Sequence, residues 1–149
     1  MSVDSRHPSY TEFIPDWEAV RDTFRGERQV KTKGTVYLPP TKGMQLDGME
    51  QGSLGWEQYE SYRSRAIYHN FMSEAVEALL GMLHIKPASI DLPVVMEPIR
   101  ERATNNGESL EVLLFRINQE QLITGRVGLL ADLPVMEQRG TVLPYIAVY

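Results

Sequence analysis

The stretch WEQYESYRSRAIYHNFMSEAVEALLGML, residues 56–83, decides how the chain is read. Trp56, Tyr59, Tyr62, Ala66, Phe71, Ala75, Val76, Leu79, Leu80 and Leu83 recur at helical spacing, which stacks such side chains along one face. Two acidic residues, Glu57 and Glu60, and then two basic ones, Arg63 and Arg65, mark the outer face. These positions predict one long central amphipathic helix over about 56–83, roughly 42 Å long at 1.5 Å per residue. A helix of that length nearly spans a domain of this size and would organise it. Its aromatic N-terminal half carries more apolar surface than so small a chain covers, so Trp56, Tyr59 and Tyr62 mark an expected subunit-packing surface.

Toward the C-terminus, Ile85-Lys86-Pro87 stops this helix, and Leu92-Pro93 opens a short one over 93–102, proline being suited to a first turn. Asn105-Asn106-Gly107 is a turn. Ser109 then caps a second clear helix, about 109–124, with Leu110, Leu113, Leu114, Ile117 and Gln121 on one face and Gly125 closing it. Residues 126–132 and 142–149 read as strands. The connection between them fits a long hairpin better than a parallel crossover, and so predicts a small antiparallel sheet. The class is therefore α+β, helix-rich, with 1–149 read as a single domain.

Toward the N-terminus, residues 1–15 read as a flexible arm ended by Pro15, after which Asp16 caps a short helix bearing Trp17, Val20 and Phe24 and closed by Gly26. A basic run follows: Arg21, Arg25, Arg28, Lys31 and Lys33. Arg25, Arg28, Lys31 and Lys33 are candidates for contact with phosphates or an acidic partner; Asp16, Glu18, Asp22 and Glu27 nearby support the plainer reading of a charged surface turn. Thr35 to Leu38 read as a brief extended piece. Residues 41–55, with Gly43, Gly48, Gly52 and Gly55, read as a mobile loop.

Composition narrows the function. The 149 residues contain no cysteine and carry a net charge of −5. That excludes a disulfide scaffold, a thiolate metal site and a cysteine nucleophile, and bulk attraction to nucleic acid or anionic membrane is not the dominant feature. Apolar runs such as Val112 to Phe115 fall far short of the roughly 20 residues that span a bilayer. The polar N-terminus is no secretory signal, so a soluble intracellular protein is expected, with no membrane partner. Chemistry is sparse. His69 and His84 lie fifteen residues apart around the predicted helix, over 20 Å if both are helical, and His7 sits in the arm; all three read as structural or solvated. Glu97 and Glu101 are flanked by Arg100 and Arg102, which reads as a salt-bridged face. Gly125-Arg-Val-Gly128 lacks the third glycine of a dinucleotide fingerprint. No catalytic residue, metal ligand or cofactor site is assigned, and the expectation is a protein that is not an enzyme.

The order of segments carries more. The succession runs Trp17-x3-Arg21-Asp22-x3-Gly26, Val30-Lys31, Tyr37-Leu38-Pro39, then Tyr59-x2-Tyr62-x2-Arg65-Ala66-x-Tyr68-x-Asn70 and Leu79-x-Gly81. It continues through Leu92-Pro93 and Asn106-Gly107-x-Ser109-Leu110 to Gly125-Arg126-x-Gly128-x-Leu130-x-Asp132-x-Pro134 and Pro144-Tyr145. This order resembles the N-terminal, wing part of a portal-like protein family of tailed phages and prophages, long catalogued as a domain of unknown function. The resemblance implies a structural subunit of a homo-oligomeric ring, usually twelve copies, at one capsid vertex. Double-stranded DNA passes through such a ring non-specifically, and capsid, terminase and head–tail adaptor proteins dock on it. It further implies the virion as location, with the host cytoplasm during assembly. Portals of this kind are several times longer, and their stem and clip have no counterpart here, so a fragment and a naturally short form both stand. A complete small head–tail adaptor or accessory interaction domain is the alternative.

Overall fold

The computed structural model describes residues 6–132 and 145–148. Among them it shows helices in succession followed by one two-stranded antiparallel sheet, which is the helix-rich α+β class expected. The sequence reading treats 1–149 as one domain; the structure groups it into two compact units, residues 1–74 and 75–149.

In the first unit, α1 (Pro8–Arg25) starts where Pro8 takes the first helical position and His7 Nδ1 accepts a hydrogen bond from the Ser9 amide at 3.2 Å. Residues 8–15 are thus helical rather than a flexible arm, and Asp16 lies inside the helix instead of capping it; residues 1–5 lie outside the described residues. Pro15 has no amide to donate to the turn before it. The helix continues across it because Trp17 bridges that turn, its ring 5.4 Å from Tyr10 and 6.0 Å from Phe13. Gly26, at φ 87°, ends α1 as expected and starts α2 (Glu27–Lys33). A 3-10 turn at Gly34–Val36 replaces the extended piece read at Thr35 to Leu38, with the Tyr37 and Leu38 amides both donating to the Gly34 carbonyl.

Residues 41–55, read as a mobile loop, hold a further helix, α3 (Lys42–Leu46), capped by Thr41. Ser53 caps α4 (Leu54–Arg65) and donates its hydroxyl to the Gly48 and Glu50 carbonyls, each at 2.7 Å. Gly55 is required by packing: a Cβ there would lie 2.0 Å from the Met44 oxygen and 2.3 Å from that of Gly48. Close backbone packing, not flexibility, is what glycine supplies at that position.

The predicted 56–83 helix is two helices, α4 and α5 (Phe71–Leu83). Helical period is present on both sides of the break, so periodicity could not reveal it. The cause is tertiary. The last carbonyls of α1 run short of helical partners; Gly26 N reaches those of Asp22 and Thr23, and the chain at 66–70 adds two more donors, the Tyr68 hydroxyl to Thr23 O at 3.1 Å and Asn70 Nδ2 to Phe24 O at 2.8 Å. Asn70 Oδ1 then accepts from the Ser73 amide at 3.1 Å, restarting the helix as its cap.

The second unit packs around Ile99, Ala103 and Leu113, with Leu110, Ile117 and Ile146 against them. The short helix read at 93–102 is a 3-10 turn (Val94–Met96) followed by α6 (Pro98–Glu101). The helix expected at 109–124 is α7 (Leu110–Thr124), capped by Ser109 and closed by Gly125 at φ 75°. The sheet pairs β1 (Leu129–Asp132) with β2 (Tyr145–Val148), Leu129 opposite Val148 and Asp132 opposite Tyr145. Residues 126–128 of the first expected strand are not in β1; of the second, 142–144 and 149 lie outside the described residues. The Ile146 amide donates to Ala103 O at 2.7 Å, fastening β2 to the core.

Candidate functional site

The charged corner of the first unit collects most of what the sequence marked. It is built around a carboxylate that the sequence reading counted only as a neighbour of the basic run. Asp22 is 2 % exposed. Its Oδ2 lies 2.6 Å from Lys33 Nζ and accepts the Tyr37 hydroxyl at 2.5 Å, while Oδ1 accepts Gln29 Nε2 at 3.0 Å. Burial alone would raise the Asp22 carboxyl; the three donors outweigh it and hold the group below its usual value. The Tyr37 phenol is pushed up to about 12, first by its bond to Asp22, then by burial and the charges of Asp22 and Glu18.

The basic run therefore divides. Lys33 is committed to Asp22, with Glu18 at 3.9 Å. Lys31 pairs with Glu27 at 2.6 Å and donates to Ser64 O at 3.0 Å, which ties α2 to the end of α4. Arg25 and Arg28 are exposed and form no ion pair among the described residues. Arg28, Lys31 and Thr32 share one face of α2 at i, i+3 and i+4; Glu60, Arg63 and Ser64 do the same on α4. Together the six line an open cleft of about 510 Å³. Arg63 Nη2 contacts Glu60 Oε2 at 2.5 Å, and Glu60 Oε1 is turned inward without a partner. Beside this cleft a smaller cavity of about 270 Å³ is lined by Val30, Tyr37, Leu38, Ala66, Ile67 and Tyr68, with Glu27 and Lys31 also reaching it.

The three aromatic residues marked for subunit packing part company. Tyr59 is 1 % exposed, its side chain enclosed within its own chain, its hydroxyl unpartnered and its pKa raised by burial. Trp56 and Tyr62 are half-buried, at 6.0 and 6.2 Å from the Tyr59 ring.

The histidines stay apart. His7 caps α1, His69 stacks on Phe71 at 5.9 Å, and His84 sits 3.1 Å from Asn118 Nδ2 and 5.0 Å from the Phe115 ring. Glu97 grips Arg100 through both carboxylate oxygens at 3.0 and 3.2 Å, the salt-bridged face its flanking charges suggested. Among the described residues no three His, Cys, Asp or Glu side chains converge as a metal site would need, and no helix is long and apolar enough to cross a membrane. Sequence reasoning missed Asp22 as a hub, and Arg63 and Ser64 as partners of the basic run. The i, i+3, i+4 pattern on each helix was visible, but nothing in it pairs 28–32 with 60–64.

No family model matches this chain, and no curated protein matches it.

Proposed function

We propose that this chain is a structural, non-catalytic subunit of a phage portal, or part of one. It stands in a ring of like copies at a capsid vertex through which double-stranded DNA passes. The ordered succession of motifs from Trp17 to Tyr145 carries the reading. Exposed apolar side chains support it: Leu83, Ile85, Val94 and Val95 are 59 to 88 % exposed, and covering such groups in an assembly gains about 25 cal/mol per Å². Trp56 and Tyr62 remain available for subunit packing, whereas Tyr59 serves the chain's own core. Capsid, terminase and head–tail adaptor proteins are the partners on this reading, and the virion is its place, reached from the host cytoplasm.

Solution mass across a wide concentration range, together with negative-stain electron microscopy, tests it. A closed ring of identical copies is the expected result. A chain that stays monomeric at every concentration and forms no ring would overturn its reading as a ring-forming subunit. A discrete complex formed only with a separate ring protein would favour the head–tail adaptor instead.

A further inference from the structure

We infer that the cleft between α2 and α4 is a phosphate-binding site, with Arg28 and Arg63 as its principal ligands and Lys31 between them. Three cations from two separate helices line one open space of about 510 Å³, together with Thr32 and Ser64, whose hydroxyls donate to the Arg28 and Ser61 carbonyls. Its volume exceeds that of a phosphate ion, leaving room for the group that carries the phosphate.

The charge balance favours an anion once internal partners are counted. Glu27 and Glu60 offset two of the three cations, so the surplus is the charge of Arg28, which is exposed. Donor capacity remains as well. Arg63 presents five N–H groups and commits one nitrogen to Glu60. Lys31 has three, of which Glu27 and Ser64 O take two. Two guanidinium groups contributed by separate helices suit the several oxygens of a phosphate better than a single carboxylate. The carbonyl end of α4 works against an anion; Lys31, bonded to Ser64 O, offsets that end locally. This differs from the basic run as read in sequence: Lys33 belongs to Asp22, and Arg63 joins from 35 residues beyond Arg28. The site needs no ring and does not rest on the portal reading.

The phosphate could come from a nucleic-acid backbone or from a small phosphorylated molecule, and two probes separate these. A labelled DNA duplex is titrated by fluorescence anisotropy over a range of salt, and inorganic pyrophosphate by phosphorus NMR. The variants are Arg28→Gln with Arg63→Gln and, as a control on exposed cations outside the cleft, Arg25→Gln with Arg65→Gln. If the backbone is the source, the cleft variant binds the duplex about tenfold more weakly. It also lowers the slope of log affinity against log salt by about two. The control then stays within about twofold of the parent. Cleft-dependent binding of pyrophosphate without duplex binding assigns a small phosphorylated molecule. Arg28→Glu, which removes no internal contact, repeats the test should the double variant fold poorly. Binding of neither probe, or equal weakening by cleft and control variants, overturns the site.

Discussion

Asp22 in the unit of residues 1–74 and Leu113 in that of residues 75–149 are both almost wholly buried, at 2 % and 0 % exposure. They do opposite work. Asp22 gathers Gln29, Lys33 and Tyr37, and side-chain bonds from Tyr68 and Asn70 meet the carbonyls that end α1. The first unit is thus aligned by polar ties, each with a direction. Leu113 contributes only volume, in a core with Ile99 and Ala103. Elsewhere in the same unit, side chains such as Leu83, Ile85, Val94 and Val95 stay in contact with water. One unit is centred on a buried charge and the other on apolar volume, while both leave apolar side chains in water, Leu46 and Ile67 in the first as Val94 and Val95 in the second.

The contrast can be broken most forcefully at Leu113. Leu113→Ala should cost about 3–4 kcal/mol in urea unfolding, with no dependence on pH, because transfer and cavity terms carry no charge. A loss below about 1 kcal/mol would mean the second unit has no packed core.

Asp22→Ala should cost about 2–3 kcal/mol, less than a fully enclosed ion pair because the Lys33 side chain is 34 % exposed and can reach water. Its mark is the pH profile. The Asp22 carboxyl is lowered in the folded state, so the folded protein binds fewer protons there; its stabilisation is present above the ordinary value of 3.8 and lost as pH falls through the lowered one. Tyr37 runs the other way. Raised to about 12 from 10.0, it stabilises below pH 10 and loses that contribution as pH rises toward 12. Ultraviolet titration should show Tyr37 and Tyr59 both late, and Asp22→Ala should bring only Tyr37 back toward the others. A Tyr37 that titrates early in the parent protein would remove Asp22 as the hub.

Gly55→Ala sharpens the comparison from the backbone side. The added Cβ meets two carbonyl oxygens rather than a movable side chain, for an expected loss of about 2 kcal/mol by thermal unfolding. No loss would show that 41–55 is as loose as its composition reads. Asn70→Ala is the smallest effect, about 1 kcal/mol. With its cap and its bond to Phe24 O gone, circular dichroism should report unchanged or slightly higher helicity if the break at 66–70 then closes.

Much of the helical pattern was legible before the structure. Ser109 and Gly125 bounded α7 because a cap and a left-handed glycine are local facts, and Gly26 ended α1 for the same reason. What failed was whatever depends on a partner distant in sequence. Pro15 looked like a terminator because the Trp17 contacts across it are not written in propensity. The break before Asn70 answers to carbonyls more than forty residues earlier. For the candidate site, the cations of α2 were visible in the sequence. Which of them face inward depends on Asp22, and which face the cleft depends on α4, so neither division could be read from the run.

The Asp22 hub also sets a rule about length. Its partners lie 7, 11 and 15 residues along the chain, and each additional or missing residue would turn the rest of a helix by about 100°. One insertion between Asp22 and Gln29 would carry all three donors away together. In related chains this interval should drift in sequence while keeping its count of residues. The exposed Asn105-Asn106 turn is tied only locally, by bonds between residues 103–104 and 107–108, and is where insertions and deletions should collect.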